Sequence, residues 1–264
     1  MSRVVVCALA RNEREYINDW LLWYTRIGAD HFYIYDNDDL DAAPLIDDVR
    51  PEYRDKITII SIRGRHESMM QHHVYQEFYA AYGQTFDWCL FIDVDEFLSG
   101  ITSLHAWLDN PKYWDFQAIR VRWRLYGDDD LIERDMSKPV WEGLTKPQTE
   151  GELAMSGKSI VRGRLPNVTC RSCHWLKSNG HMIKACLPNG KLCRNAHIIK
   201  DPYDGPILLN HYRTKTLSEF MRQKYGRGDA MWSRRSVDLD YFFKQNAKTP
   251  EKIAWLEAHY GIKL

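Results

Sequence analysis

The chain has 264 residues, 44% hydrophobic and 27% charged, and its 36 basic residues match its 36 acidic ones. A formal net charge of zero supplies no global field for nucleic acid, and no apolar run approaches the roughly 20 residues of a membrane span. The length suits one large domain with room for a sheet covered on both faces.

Met1 to Cys7 runs directly into a strand pattern without a secretory h-region. A cytoplasmic protein is expected, with peripheral contact at the inner face of a membrane. The six Cys are then expected as thiols or metal ligands rather than disulfides. Ten Trp and 15 Tyr suit sugar-stacking platforms, although large aromatics most often fill cores.

Val4 to Leu9 reads as a buried strand. Ile17, Trp20, Leu21, Tyr24 and Ile27 recur at helical spacing, and Gly28 is a stop. His31 to Tyr35 is a second strand, followed by Asp36-Asn37-Asp38-Asp39; residues 42–50 form a short helix and Ile57 to Ile62 a third strand. The helix over 68–82 carries Met69, His73, Gln76 and Ala80 along one face. Trp88 to Ile92 is a fourth strand, Leu104 to Leu108 a short helix, and Gln117 to Trp123 a fifth strand. This alternation predicts an α/β fold with a mostly parallel central sheet and helices on both faces. Ligands of such sheets bind beyond the carboxyl ends of the strands, where Arg11-Asn12, Asp36 and Asp93-Val94-Asp95 fall.

The second half is broken by Pro139, Pro147, Pro166, Pro188, Pro202 and Pro206, which predicts loops and short antiparallel strands. Two helices return near the end. Thr216-Leu217-Ser218-Glu219 is a capping box, and Thr249-Pro250 opens a helix that Gly261 closes. Residues 1–125 are expected as one regular half, and 126–264 as an irregular C-terminal region of the same domain.

Asp93 and Asp95 follow an apolar strand two positions apart, so both carboxylates can face one site. Two acids that close repel each other. A divalent cation removes the conflict, and hard oxygen ligands suit Mg²⁺ or Mn²⁺. The plain alternative is a solvated turn or a helix cap.

Arg11-Asn12-Glu13, Tyr35-Asp36-Asn37 and Phe91-Ile92-Asp93-Val94-Asp95-Glu96-Phe97 resemble glycosyltransferases of the GT-A (Rossmann-like) fold. The likeness is closest to the family 92 group and the family 2 branch grouped with it. Trp123-Arg124-Leu125-Tyr126-Gly127, Gly157-Lys158-Ser159-Ile160-Val161-Arg162 and the segment Asn210 to Phe220, with Lys224 and Gly226, resemble further blocks of that group. The resemblance implies that Asp93, Asp95 and His211 bind metal and that Asp36 contacts the nucleoside. It makes residues 1–125 the nucleotide-sugar-binding half and 126–264 the acceptor-binding and C-terminal region, and it places Arg11 and Asn12 at the nucleotide, and Lys158 and Lys215 at the diphosphate. It also implies a UDP-sugar donor, UDP-galactose first, and a saccharide acceptor, free or lipid-linked, in surface polysaccharide or lipooligosaccharide synthesis. The run Asp128-Asp129-Asp130 departs from the small residues expected after Gly127.

An inverting transfer needs a base at the acceptor hydroxyl, and Asp128, Asp129 and Glu142 are candidates by position. Cys170-Arg171-Ser172-Cys173-His174, then His181, Cys186, Cys193 and His197, form a candidate structural Zn²⁺ segment over 170–197. Reduced thiols are the alternative. Arg213, Lys215, Arg222, Lys224, Arg227, Arg234 and Arg235 concentrate charge that suits a diphosphate or an anionic membrane. A nucleotidyltransferase or phosphohydrolase on the same metal site, and a non-catalytic binding module with structural zinc, are the competing functions.

Overall fold

The structure, a computed structural model, describes residues 1–148, 155–172, 174–194, 199, 203, 205–227 and 237–264. Cys173, His197, Pro202, Arg234 and Arg235 lie outside the described residues. It is a mixed α/β fold with a large central sheet flanked by helices.

The first half supplies β1 (Val4–Ala10), α1 (Ile17–Arg26), β2 (His31–Asp36), β3 (Ile57–Ser61), α2 (Met70–Tyr82) and β4 (Trp88–Phe91). The four strands lie parallel in the order β4, β1, β2, β3. Cross-strand neighbours share a face, and faces alternate along each strand. Ala8, Ala10, Ile34, Leu90 and Ile92 therefore pack on the side of α1, with Ile17, Trp20, Leu21 and Tyr24. Val5, Cys7, Tyr35 and Phe91 pack on the side of α2. The stripe on α2 is Met70, Val74, Tyr75, Phe78 and Tyr79. The face expected from Met69, His73, Gln76 and Ala80 is not the packed one, since His73 and Ala80 are exposed. The four- and five-residue spacing from Met70 gathers larger apolar side chains, and these win the sheet. The helix expected over 42–50 is only a 3-10 turn, Leu45–Asp48, entered from Pro44. Pro51 disfavours helical backbone at the residue before it, and Arg50 is accordingly extended with ψ 143°.

The chain continues through β5 (Glu96–Ser99), α3 (Leu104–Leu108), β6 (Ala118–Leu125), α4 (Val140–Gly143), β7 (Gly157–Arg162), β8 (Val168–Ser172), β9 (Trp175–Ser178), β10 (His181–Met182), β11 (Ala185–Cys186), β12 (Leu192–Cys193) and β13 (Leu208–His211). The ten-stranded sheet runs β12-β11-β6-β7-β4-β1-β2-β3, with β13 beside β6 and β5 beside β13. β7 lies antiparallel between β4 and β6, so strands from beyond residue 125 complete the sheet begun before it. β8, β9 and β10 form the short antiparallel sheet expected of the Pro-rich half. The chain ends with α5 (Leu217–Gln223), α6 (Leu239–Phe243) and α7 (Pro250–Tyr260). The Thr216 capping box is formed in both directions, and α7 runs from the Thr249 cap to a left-handed Gly261. Among the described residues no helix is long and apolar enough to cross a membrane.

Gly157 marks the closest approach of β7 to β6, because a Cβ there would overlap the Val121 carbonyl oxygen. Both atoms are backbone-fixed, so neither can yield cheaply. Gly157→Ala is expected to destabilise by about 1–3 kcal/mol and to shift the adjacent Lys158. A thermal melt beside wild type checks this, and an unchanged melting temperature would refute it.

Candidate functional site

The parallel strands end at a cleft of about 200 Å³. Leu9 and Arg11 reach it from the end of β1, Asn37 from β2, and Asp93 and Asp95 from β4. His66, Glu67, Met70 and Gln71 close one side, and His211, Arg213, Lys224, Arg227 and Tyr241 the other. After β4 the chain turns at Asp93 to Asp95 and returns as β5, whose antiparallel partner is β13. That register sets His211 opposite Glu96 and donates the Tyr212 N–H to the Asp95 carbonyl at 2.9 Å. The late histidine thus reaches the acidic turn through strand pairing.

Each acid has a defined set of partners. Asp93 Oδ2 accepts from Lys158 Nζ at 2.8 Å, and its Oδ1 from Gln71 Nε2 at 2.6 Å and Tyr75 Oη at 3.1 Å. Gln71 and Tyr75 are one helical turn apart on α2, so they present a pair of donors to one oxygen. Asp95 Oδ2 accepts from Lys224 Nζ at 2.7 Å, and its Oδ1 lies 3.4 Å from His211 Nε2. Glu96 is fully buried behind them. It accepts from Trp123 Nε1 at 2.7 Å and from the Asp93 N–H at 3.0 Å.

These environments drive the three acidic and imidazole groups apart. Burial alone would raise the Asp95 carboxyl. Lys224, then His211 and Lys215, outweigh it and hold Asp95 well below the usual carboxylate range. Burial pushes Glu96 well above that range; Lys158 opposes the rise, while Asp93 and Asp95 add to it. Burial lowers His211 despite Asp95, so its imidazole is neutral at pH 7, the form that ligates metals. Burial and then Arg227 lower Arg11. Arg227 is held beside it by donating to the Arg11 carbonyl at 2.6 Å. Two neighbouring guanidiniums at one wall make a receptor for a multiply charged anion.

The donor set fits a divalent cation in kind. Two ligands at right angles on about 2.1 Å bonds sit about 3 Å apart, close to the Asp95–His211 separation of 3.4 Å. His211 Nδ1 is buried without a hydrogen-bond partner, 3.8 Å from Glu96 Oε1. A proton on Nδ1 leaves the Nε2 lone pair facing Asp95. Among the described residues no three acidic, His or Cys side chains are already gathered at one point. Asp93 is turned to Lys158 and would complete the set by exchanging part of that bonding.

Several residues singled out by sequence lie elsewhere. Asp36 is buried on the α1 side of the sheet, where its carboxylate accepts from the Asp38 and Leu45 N–H groups. It does not line the cleft, whereas Asn37 does. Asn12 adopts a left-handed φ of 57° and ties its N–H to Asp38 at 2.7 Å, so it shapes the loop without lining the cleft. Lys158 lies under Asp93, and Lys215 is buried beneath the floor between Glu13 and Gln223, over the Tyr16 ring. Arg222 points outward to Glu15.

None of the three candidate bases lines the cleft. Asp128 is buried against Lys252, Asp129 caps the Thr145 and Lys146 N–H groups, and Glu142 sits on the short α4. Two of the three thus have partners of their own, Lys252 for Asp128 and the Thr145 and Lys146 N–H groups for Asp129. The cysteine segment also divides. Cys170 packs with Cys7 and Cys89 in the core under α2, while Cys186 pairs with Leu192 and Cys193 with Ala185 across β11 and β12, so the last two thiols fall in different core clusters. Among the described residues these thiols do not converge on one zinc position, and His181 is exposed on β10. The contributions of Gln71 and Tyr75 were missed by sequence, and their four-residue spacing on α2 was the available signal.

No protein-family model matches the chain, and no curated protein matches it.

Proposed function

We propose that this chain is a GT-A-type glycosyltransferase. It moves a hexose from a nucleoside diphosphate sugar, UDP-galactose in the first instance, to a hydroxyl of a saccharide acceptor. The observation that carries the reading is one cleft at the tips of parallel strands, where Asp93, Asp95 and His211 meet Arg11, Arg213, Lys224 and Arg227. The acids and the neutral imidazole would hold Mn²⁺ or Mg²⁺, which supplies Lewis-acid stabilisation of the departing diphosphate. The chain's own cations do the rest. Arg11 and Arg227 grip the diphosphate, and Lys224 stands beside Asp95 where negative charge develops as the anomeric bond breaks. The aromatic wall at Tyr241, with Arg213 stacked 4.4 Å over its ring, limits water access. A lipid-linked acceptor at the inner membrane face fits the late basic residues.

The test is UDP release from UDP-galactose with Mn²⁺, with EDTA, and with added saccharide acceptors. Release should need the cation and rise at least about tenfold with a cognate acceptor. Transfer of a nucleotidyl group, or release of inorganic phosphate instead of UDP, would replace this reading with a nucleotidyltransferase or phosphohydrolase.

A further inference from the structure

β3 is the last strand of the sheet and pairs with β2 on one side only. Just past it, the Ile62 N–H donates to the Asp36 carbonyl at 2.9 Å, so Ile62 turns its main-chain groups towards β2. Main-chain direction alternates along a strand. Thr58 and Ile60 therefore face β2 as Ile62 does, while Ile57, Ile59 and Ser61 turn their N–H and C=O groups to the open edge. Among the described residues no loop or helix backbone bonds to these groups.

This edge lacks the usual defences. An open strand edge invites another strand, and proteins blunt it with Pro, charge, a bulge or shortness. β3 reads Ile-Thr-Ile-Ile-Ser and pairs with β2 in unbroken register, with no Pro and no charged residue. Its three Ile side chains are half-buried, Ile57 and Ile59 against the core on the α1 side and Ile60 against the core on the α2 side. β12, at the opposite end of the sheet, is only two residues long.

A second copy of β3 fits the edge. Antiparallel pairing about a two-fold axis at Ile59 sets Ile59 opposite its own copy and Ile57 opposite the partner's Ser61. All three outward-turned residues then exchange N–H and C=O bonds across the seam, and both apolar faces continue through it. An axis at Thr58 or Ile60 instead leaves Ser61 or Ile57 without a counterpart inside β3. The Ile59 axis also sets Asp55 opposite the partner's Arg63. Asp55 is exposed and Arg63 half-buried. Arg63 gives Nη2 to the Leu40 carbonyl at 2.8 Å, which leaves Nη1 for a second acceptor. We propose that two copies of this chain join along β3 in this register, with an Asp55–Arg63 pair closing each end of the seam.

Sedimentation of the full chain over a range of concentrations tests the pairing. The mass should rise from 31.2 kDa towards twice that value, with a midpoint at the weak, micromolar end of interfaces. Ser61→Pro removes one outward N–H, a change that an edge strand tolerates. It should weaken association at least about tenfold, the scale of one hydrogen bond lost per copy. Asp55→Arg and Arg63→Asp each place like charges across both ends of the seam and should each weaken association about tenfold. Mixed in equal amounts, the two variants restore opposite charges at both ends and should associate as wild type does. A misfolded variant cannot give that recovery. A mass fixed at one chain throughout would leave the edge to solvent or to a different chain and overturn the proposal. A dimer that Ser61→Pro and both charge reversals leave unchanged would use another surface and overturn it equally. A mixture no stronger than its parts would overturn the register. No arm of the test uses nucleotide, so its failure leaves the transferase reading as it stands.

Discussion

Asp95→Asn should lower Mn²⁺-dependent donor turnover by about 100- to 1,000-fold, the scale of losing one group aimed at developing charge. Asn keeps the shape of the side chain and one oxygen, but it removes the charge that Asp95 carries even when buried. Lys224 above all, with Lys215 behind it, keeps Asp95 ionised against its burial. Its loss takes a hard anionic ligand from the proposed cation and leaves the Lys224 ammonium, which also donates to the Arg213 carbonyl at 2.6 Å, without the charge of Asp95. An uncompensated buried charge costs up to about 3–5 kcal/mol, so folding and function must be read separately. Asp93→Asn is the internal comparison. Asp93 is 28% exposed at its side chain, so its replacement should cost less stability while removing turnover to a similar degree. Turnover with and without Mn²⁺, measured on variants whose circular dichroism matches wild type, checks the pair. A folded Asp95→Asn protein with wild-type turnover would remove Asp95 from the site.

The carboxyl-end rule for parallel strands located this cleft from sequence because it depends only on element order, and element order is written in the apolar periodicities of Val4 to Ile92. Helix ends were equally readable, since Thr216 with Glu219, and Thr249 with Pro250, act over three or four residues. Two kinds of fact were not. The first is which side of a strand a loop residue faces. Asp36 and Asn37 are adjacent and both polar, and only the register of Leu9 against Tyr35 assigns Asn37 to the cleft. The second is long-range pairing. Nothing near Lys158 announces that β7 inserts antiparallel between β4 and β6, or that this brings its ammonium to Asp93. The surroundings of the acidic run 128–130 were hidden for a related reason. A local view counts charges, but it does not see that Lys252 pairs with Asp128 or that the Thr145 and Lys146 N–H groups donate to Asp129.

Glu219→Gln should destabilise the protein by about 3–5 kcal/mol, although Glu219 does not line the cleft of Asp93 and Asp95. Its carboxylate collects four donors. Oε1 accepts from Tyr16 Oη at 2.6 Å and Arg134 Nε at 2.9 Å, and Oε2 from the Thr216 N–H at 3.1 Å and Thr216 Oγ1 at 2.6 Å. Glutamine offers one oxygen to two of these donors and turns an NH₂ against the other two. The Arg134 guanidinium, 2% exposed, is left without its counter-charge. The pH dependence distinguishes this from a packing defect. Burial raises Glu219, but Arg134, Thr216, Tyr16 and Lys215 outweigh it and hold the group below its ordinary value. A depressed carboxyl contributes stability that is present above the unfolded pKa of about 4.3 and lost as pH falls through the lower folded value. Wild type should therefore exceed Glu219→Gln in urea-unfolding free energy by the full increment at pH 7, and this excess should begin to shrink as pH falls below about 4.3 and go on shrinking through the lower folded value. The effect should also reach the site. Glu219 caps α5, and the segment from His211 to Lys224 carries the imidazole, Arg213 and Lys224 to the cleft. Weaker UDP binding should accompany the lost stability. A variant that loses less than about 1 kcal/mol at pH 7, or loses the same amount at pH 3.5 and pH 7, would show that this buried charge does not anchor the wall.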